Sequence, residues 1–303
     1  MAQRQSGMKV IVAGGTGFLG TPLVSQLRAS GNEVSVLTRR SAEPGQITWS
    51  PDGTIGPWAK AIDGADAVIN LTGESIAGHR WTPAHKARIR DSRIRATRSV
   101  VAAIHAAAQK PATLLNASAV GYYGSRGDDT LTEESPPGED FLATVCRDWE
   151  AEARGAADAS RVVLLRSAPV LESTGGVLPR IALPFRLFIG GPVGPGTQYW
   201  SWIHRHDWVA MVIWALETSQ VSGALNLAAP VPVTNHVFAQ TLGHVLKRPA
   251  FMPAPAFALR LLLGEMADVL LFSQRVIPVK AEALGFRFRY AALEPALVAA
   301  MRR

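Results

Sequence analysis

The sequence predicts an α/β protein: a Rossmann-like doubly wound parallel sheet with a smaller C-terminal α+β lobe. Three observations predict it. Short β-branched apolar runs alternate with amphipathic helical patterns over roughly the first half of the chain. Glycines at 14, 17 and 20 follow the first run directly and open the first helix. After Arg166 the texture changes to a loop-rich stretch with Gly175, Gly176, Pro179, Pro184 and further glycines from Gly190 to Gly196.

The apolar runs predict strands over 9–13, 33–38, 67–71, 113–117 and 162–166, with helices near 18–30, 83–108 and 140–157 between them. Continuous apolar strands separated by helices imply a parallel sheet covered on both faces. Further on, the pattern predicts a strand over 199–203, a helix over 207–217 and a strand over 225–228. Pro230 and Pro232, then Pro249, Pro253 and Pro255, mark boundaries. The last 50 residues or so read as short helices and one strand, 285–290. The expected organisation is a nucleotide-binding domain over 8–229, with part of a substrate lobe inserted near 172–205, and a C-terminal lobe over 230–303. A cleft should lie between them over the strand ends.

Composition narrows the function class. With 303 residues, 48% hydrophobic and 18% charged, the chain can bury a sizeable core. Lys+Arg 31 against Asp+Glu 24 gives a net charge of +7, which favours anionic ligands without naming nucleic acid or membrane. The single cysteine, Cys146, excludes an intramolecular disulfide framework and a multi-thiolate zinc site, and fits a reducing compartment. The apolar stretch 8–13 is far shorter than a signal peptide carries. The stretches 257–263 and 269–272 are broken by Arg260, Gly264, Glu265 and Asp268, whereas a bilayer needs about 20 residues. The expectation is a cytoplasmic protein with a small-molecule substrate and no membrane or nucleic-acid partner.

The glycine motif carries the most chemistry. Gly14 permits a tight turn, Gly17 lets backbone approach a pyrophosphate, and Gly20 lets helix and strand pack closely. Thr16, Phe18 and Leu19 complete the loop. The strand before it and the helix after it make the triplet a dinucleotide-binding signal. The second strand ends in Thr38, Arg39 and Arg40. An NAD-selective site places an acid there; two guanidiniums suit a 2′-phosphate and point to NADP(H).

The helix after Pro83 carries Lys86, Arg88, Arg90, Arg93, Arg95 and Arg98 against one acid, Asp91. Most of these fit a solvated face. Arg93 does not, because it shares an apolar stripe with Ile89, Val100, Ile104 and Ala107. It needs an anion or a dense set of acceptors: a cofactor phosphate or ribose, or a structural carboxylate. The third strand ends in Leu71, Thr72 and Gly73, which should border the adenosine side of the cofactor. The fourth ends in Ser118, with Tyr122 and Tyr123 just beyond, where the nicotinamide should lie.

On these residues the chain resembles the short-chain dehydrogenase/reductase superfamily in its extended, epimerase-like form. More narrowly it is similar to the atypical "epimerase family" branch with a C-terminal domain of unknown function. The phrases that carry this run from Asn70 to Ile76, Arg80-Trp81-Thr82, Ser92-Arg93, Ser201 to Asp207, Gly264 to Ala267, Gln274 to Pro278 and Gly285-Phe286. The resemblance implies a family-specific domain over about 249–298. It also implies NADP(H) contacts at Thr38, Arg39, Leu71, Thr72, Arg93 and Val170.

One departure matters. The superfamily's Tyr-x-x-x-Lys pair does its acid–base work. Alignment on Trp149-Glu150 puts Leu142 and Cys146 at those places. Ser118 is then expected to hydrogen-bond a substrate oxygen, with Tyr122 or Tyr123 the first candidates for proton donor. Cys146 is read as a packing residue. His204, His206 and Asp207 look like a metal cluster, but a strand end followed by an Asp207 helix cap explains them better, so no metal is expected. Trp200 and Trp202 share a strand face with Gln198 and could wall a cleft or fill a core. The expected activity is redox or epimerase-like chemistry on a small carbonyl or hydroxyl compound. The rival is a non-catalytic NADP(H) sensor acting through a protein partner.

Overall fold

The computed structural model describes residues 7–40 and 43–302. Seven parallel strands form the main sheet: β1 Lys9–Ala13, β2 Glu33–Thr38, β3 Gln46–Thr48, β4 Ala67–Asn70, β5 Thr113–Ala119, β6 Arg161–Ser167 and β7 Gly223–Leu227. Their order is β7-β6-β5-β4-β1-β2-β3. The chain runs outward from β1 through β2 to β3, then crosses back to β4 and proceeds the other way. That reversal opens a crevice at the carboxyl ends of β1 and β4, the usual ligand position in such sheets. β3 is a short edge strand that the apolar pattern did not predict.

Helices α1 Gly20–Ala29, α2 Pro83–Ala106, α3 Phe141–Arg154, α4 Leu178–Arg186 and α5 Arg205–Glu217 follow in chain order. One face of the sheet is covered by α1 and α5 through Leu23, Leu27, Trp208, Met211 and Val212. The other is covered by α2 and α3 through Val100, Ile104 and Ala153. β1 is buried on both faces, which is why it reads as a continuous apolar run.

The smaller lobe is built from α4, α6 Asn235–Leu246, α7 Ala256–Leu263 and α8 Leu293–Met301 with short paired strands. The expected strand over 199–203 is two pieces: Tyr199–Trp200 pairs antiparallel with Val233–Thr234, and Ile203–His204 pairs parallel with Val170–Leu171. Trp202 is buried in the lobe core beside Leu178 and Phe185, and Trp200 meets Phe238 at 5.3 Å. Both therefore fill the lobe.

The expected strand over 285–290 does not form. Phe286 packs on Trp214 and Phe288, while the N–H groups of Arg289 and Tyr290 donate to the Asp207 carboxylate at 3.1 and 2.8 Å. Asp207 is thus not the cap of α5. His204 is, with its Nδ1 accepting from His206 N at 3.1 Å.

The segment 274–276 ties the lobe to the main domain. Arg275–Val276 pairs with Thr130–Leu131. Gln274 Nε2 donates to the carbonyls of Val120 and Gly124, at 3.1 and 3.0 Å, bracing the turn beyond β5. No helix among the described residues is long and apolar enough to cross a membrane.

Candidate active site

The crevice is built first by the glycine turn. Gly14 has φ +82°, a conformation L side chains rarely adopt, and a Cβ there would stand 3.1 Å from the Leu71 backbone. A Cβ on Gly20 would overlap the Gly14 carbonyl oxygen. Gly17 N donates back to Gly14 O at 3.1 Å, which leaves Thr16 and Gly17 exposed at the start of α1. The backbone N–H groups of Phe18 and Leu19, just ahead of α1, have no backbone partner among the described residues and suit a pyrophosphate. A cavity of about 460 Å³ opens beside the turn, lined by Thr16, Gly17, Phe18, Thr21 and Arg205 among others. Leu19 is half-buried behind the turn, against the α1–α5 core.

At the end of β2, Thr38 is half-buried while Arg39 and Arg40 are exposed. Neither guanidinium has an ion-pair partner among the described residues. At the end of β4, Leu71 abuts Gly14, and Thr72 Oγ1 is buried with no partner. An orphaned hydroxyl of this kind is costly unless a ligand completes it.

Arg93 reaches over Gly73 from α2. Its Nη1 donates to the carbonyls of Glu74 and Ile89, at 3.0 and 2.8 Å, and its guanidinium lies 5.1 Å from the Trp149 ring. Burial pulls its pKa below the usual value. No carboxylate is in ion-pair range of it among the described residues, so the structural-carboxylate alternative does not occur. The other α2 cations are spent differently: Arg88 pairs with Glu74, Arg90 with Asp148, Arg95 with Asp91 and Arg98 with Glu152. Val170 is buried in the core at the edge of the crevice, under the Gly175–Gly176 turn that packs on Phe18. The turn of β1, the ends of β2 and β4, and Arg93 thus converge on one crevice, and their donor set fits a phosphorylated dinucleotide.

Arg93→Met is expected to weaken NADPH binding at least tenfold, since a charge-assisted bond is worth roughly 1.5–3 kcal/mol. The apoprotein should unfold within about 1 kcal/mol of the parent, because the arginine has no buried carboxylate to strand. Calorimetric titration and urea unfolding on the same samples check both halves. A destabilised apoprotein with unchanged NADPH affinity would assign Arg93 to structure alone.

The β5 end holds fewer free groups than expected. Ser118 is 4% exposed and its Oγ donates to Glu150 Oε1 at 2.8 Å. Tyr123 is 0% exposed; its hydroxyl donates to Asn226 Oδ1 at 2.6 Å and accepts from Arg166 at 3.0 Å. Burial, only partly offset by Arg166, pushes the Tyr123 phenol up to about 12. Both hydroxyls face away from the crevice into a buried network. Tyr122 alone of the three is half-buried, its ring 3.5 Å under the Arg166 guanidinium.

The network around them was not visible in the sequence. Glu150 is fully buried and receives both Nε and Nη2 of Arg166, at 2.8 and 2.9 Å, as well as Arg154 at 3.0 Å. Arg166 also donates to Glu133 O, and Glu133 Oε1 accepts from Asn226 N at 3.1 Å. The available signal was Arg166 directly after the apolar run 162–165 of β6, with a glutamate, Glu150, on the buried stripe of α3.

Leu142 and Cys146 line up one turn apart on α3, and a Cβ on Gly121 would touch them at 3.4 and 3.9 Å. Burial pushes the Cys146 thiol up to about 12, despite the Arg93 charge nearby. A thiol so placed is neither a nucleophile nor a proton donor at neutral pH. Cys146→Ala should leave NADPH affinity and any turnover within about twofold, since Ala suits a helix interior. Loss of turnover with normal NADPH binding would overturn that assignment. No cluster of His, Cys, Asp or Glu able to hold a metal occurs among the described residues.

The model of the "NAD dependent epimerase/dehydratase family" matches residues 10–228. The chain belongs to this family. A "Domain of unknown function (DUF1731)" matches residues 254–300. "Epimerase family protein SDR39U1 homolog, chloroplastic" of Arabidopsis thaliana is 43% identical over 99% of this chain and 89% of that protein. "Epimerase family protein SDR39U1" of Homo sapiens is 39% identical over 96% and 98%.

Within the family, the crystal structure of human epimerase family protein SDR39U1 (isoform 2) with NADPH superposes with TM-score 0.90 at 37% identity, covering 97% of this chain and 99% of that one. A nucleoside-diphosphate sugar epimerase from Corynebacterium glutamicum gives TM-score 0.81 at 36% identity, over 98% of this chain and 58% of that one. The family relationship accounts for the Rossmann-like sheet, the glycine turn and the helical C-terminal lobe together. The chain is therefore an atypical extended short-chain dehydrogenase/reductase of the epimerase type.

Proposed function

We propose that the chain binds NADP(H) in this crevice and passes hydride between it and a small carbonyl or hydroxyl compound. The observation that carries the cofactor choice is the pair of exposed guanidiniums, Arg39 and Arg40, at the end of β2, where a carboxylate would repel a 2′-phosphate. The orphaned Thr72 hydroxyl and the Arg93 guanidinium supply further contacts, and the human relative's structure with NADPH supports the same reading. The cofactor, when bound, supplies the hydride. The protein's part is to hold the nicotinamide end against the turn beyond β5 and to keep water from it.

Ser118 and Tyr123 act in this reading by fixing that turn through Glu150, Asn226 and Arg166. Tyr122 is the phenol left to give a proton to the substrate oxygen and to regain it from solvent. The cytoplasmic setting read from the sequence belongs to the same proposal.

A second reading has a specific observation behind it: no side chain at positions 142 and 146 can do acid–base work. The chain would then sense NADP(H) and signal to a partner protein. Single-turnover mixing of NADPH-loaded protein with a panel of aldehydes and ketones decides between them. Substrate-dependent loss of NADPH absorbance, abolished in Tyr122→Phe, supports the enzyme. Tight NADPH binding with no oxidation by any panel member supports the sensor.

A further inference from the structure

We infer that the cleft between α3 and the C-terminal lobe admits a small uncharged carbonyl compound with a flat aromatic or unsaturated body, and rejects nucleoside-diphosphate sugars. This rests on the hydride-transfer reading and names the substrate class for it. The cleft encloses about 200 Å³, bounded by Trp81 on one side, Phe141 and Leu142 on α3, and Val269 and Phe272 from the lobe. Leu142, which lines the cleft, also lies against Gly121, so a single side chain separates the cleft from the turn beyond β5. The volume falls below the ~300–1,000 Å³ of pockets for larger ligands.

The walls are aromatic and held in place. Trp81 meets Phe141 edge to face at 5.2 Å, and its Nε1 donates to Ile76 O at 2.8 Å. Flat unsaturated bodies gain from such faces.

The charges argue against an anion. Four lining groups are ionisable: Lys86, Asp140, Glu265 and Asp268. One cation stands against three carboxylates on the lining, and Asp268 is in turn paired with Arg260 at 3.2 Å, which leaves −1 in a protein of net charge +7. Lys86 is already bonded to Glu265 and lies over the Phe141 ring at 4.9 Å. Arg80, beside the cleft, donates to Leu261 O at 3.3 Å. The start of α3 would otherwise suit a phosphate, but Asp140 Oδ1 takes the N–H groups of Leu142 and Ala143 at 2.9 and 3.1 Å. A diphosphate here would meet neither a spare cation nor an open helix terminus.

The test uses saturation-transfer NMR with benzaldehyde and with UDP-glucose at equal millimolar concentration, on protein with and without NADPH. Two variants accompany it. Val269→Trp fills the cleft from the lobe side, and Phe272→Ala removes a wall. Benzaldehyde is expected to bind the parent and to lose roughly tenfold in affinity in both variants, with NADPH affinity unchanged. UDP-glucose is expected to give no signal. UDP-glucose binding that Val269→Trp blocks overturns the inference, as does benzaldehyde binding that neither variant weakens. NADPH affinity is measured in the same samples. Its absence would sink the cofactor reading, while the benzaldehyde result on apoprotein still judges the cleft.

Discussion

Glu150→Ala should destabilise the protein by about 3–5 kcal/mol in urea unfolding, because it strands a buried arginine. Arg166 is 2% exposed, and two of its four hydrogen bonds go to Glu150. Ser118 would lose its acceptor at the same time. In the parent, burial opposes the Arg166 charge and the Glu150 and Tyr123 bonds hold its pKa above the ordinary value; without Glu150 the guanidinium still keeps its proton, because arginine is not deprotonated inside proteins. The double variant Glu150→Leu with Arg166→Met should recover much of the loss, since replacing both partners by apolar groups is often near neutral. A Glu150→Ala protein within about 1 kcal/mol of the parent would show that water reaches the network and shares the charge.

Arg39→Ala with Arg40→Ala should remove the preference for NADPH over NADH. Two charge-assisted bonds of roughly 1.5–3 kcal/mol each correspond to a loss of two to four orders of magnitude in NADPH affinity. Both side chains are exposed, so the lower end applies, and the effect should shrink with added salt. NADH affinity should stay within a few fold, since neither residue then has a phosphate to meet. Equal affinity for the two cofactors in the unaltered protein would remove the basis for the assignment.

The parts of the fold legible in the sequence are those where local chemistry and tertiary demand agree. β1 and β2 were bounded correctly at both ends because strand, glycine turn and helix each carry their own signal within a few residues. The edge strand β3 escaped because three residues, half-exposed, give no period to read. The strand expected over 285–290 failed for a different reason. Phe286 and Phe288 alternate as a strand would, yet they are drawn into the α5 side of the core, and Asp207, some 80 residues earlier, takes the backbone donors.

The candidate site divides along the same line. The residues proposed to meet the cofactor sit on motifs contiguous in sequence, so their convergence on one crevice could be read. Ser118, Tyr123, Glu150 and Arg166 meet only in three dimensions, through partners such as Asn226, 103 residues from Tyr123. A hydroxyl at a strand end carries no mark in the sequence of whether it looks outward to a ligand or inward to a glutamate. Arg93 was legible as an anomaly, a cation in an apolar stripe, but not its setting against Trp149 and Gly73.

The segment that closes the chain has a consequence for how the molecule comes apart. Gln274 holds the turn beyond β5, Ser201 Oγ joins Gln274 O and Val276 N at 2.7 and 2.8 Å, and Asn226 Nδ2 reaches Ile277 O at 3.0 Å. These bonds tie β7, the loop after β5 and the smaller lobe into one cooperative unit. Amide hydrogens of Val276 and Asn226 should therefore exchange with deuterium at the rate of global opening, alongside those of β1, although residue 276 lies near the end of the chain. Fraying from the C-terminus should stop short of this knot, and a single transition should be seen whether unfolding is followed by Trp fluorescence or by far-ultraviolet circular dichroism.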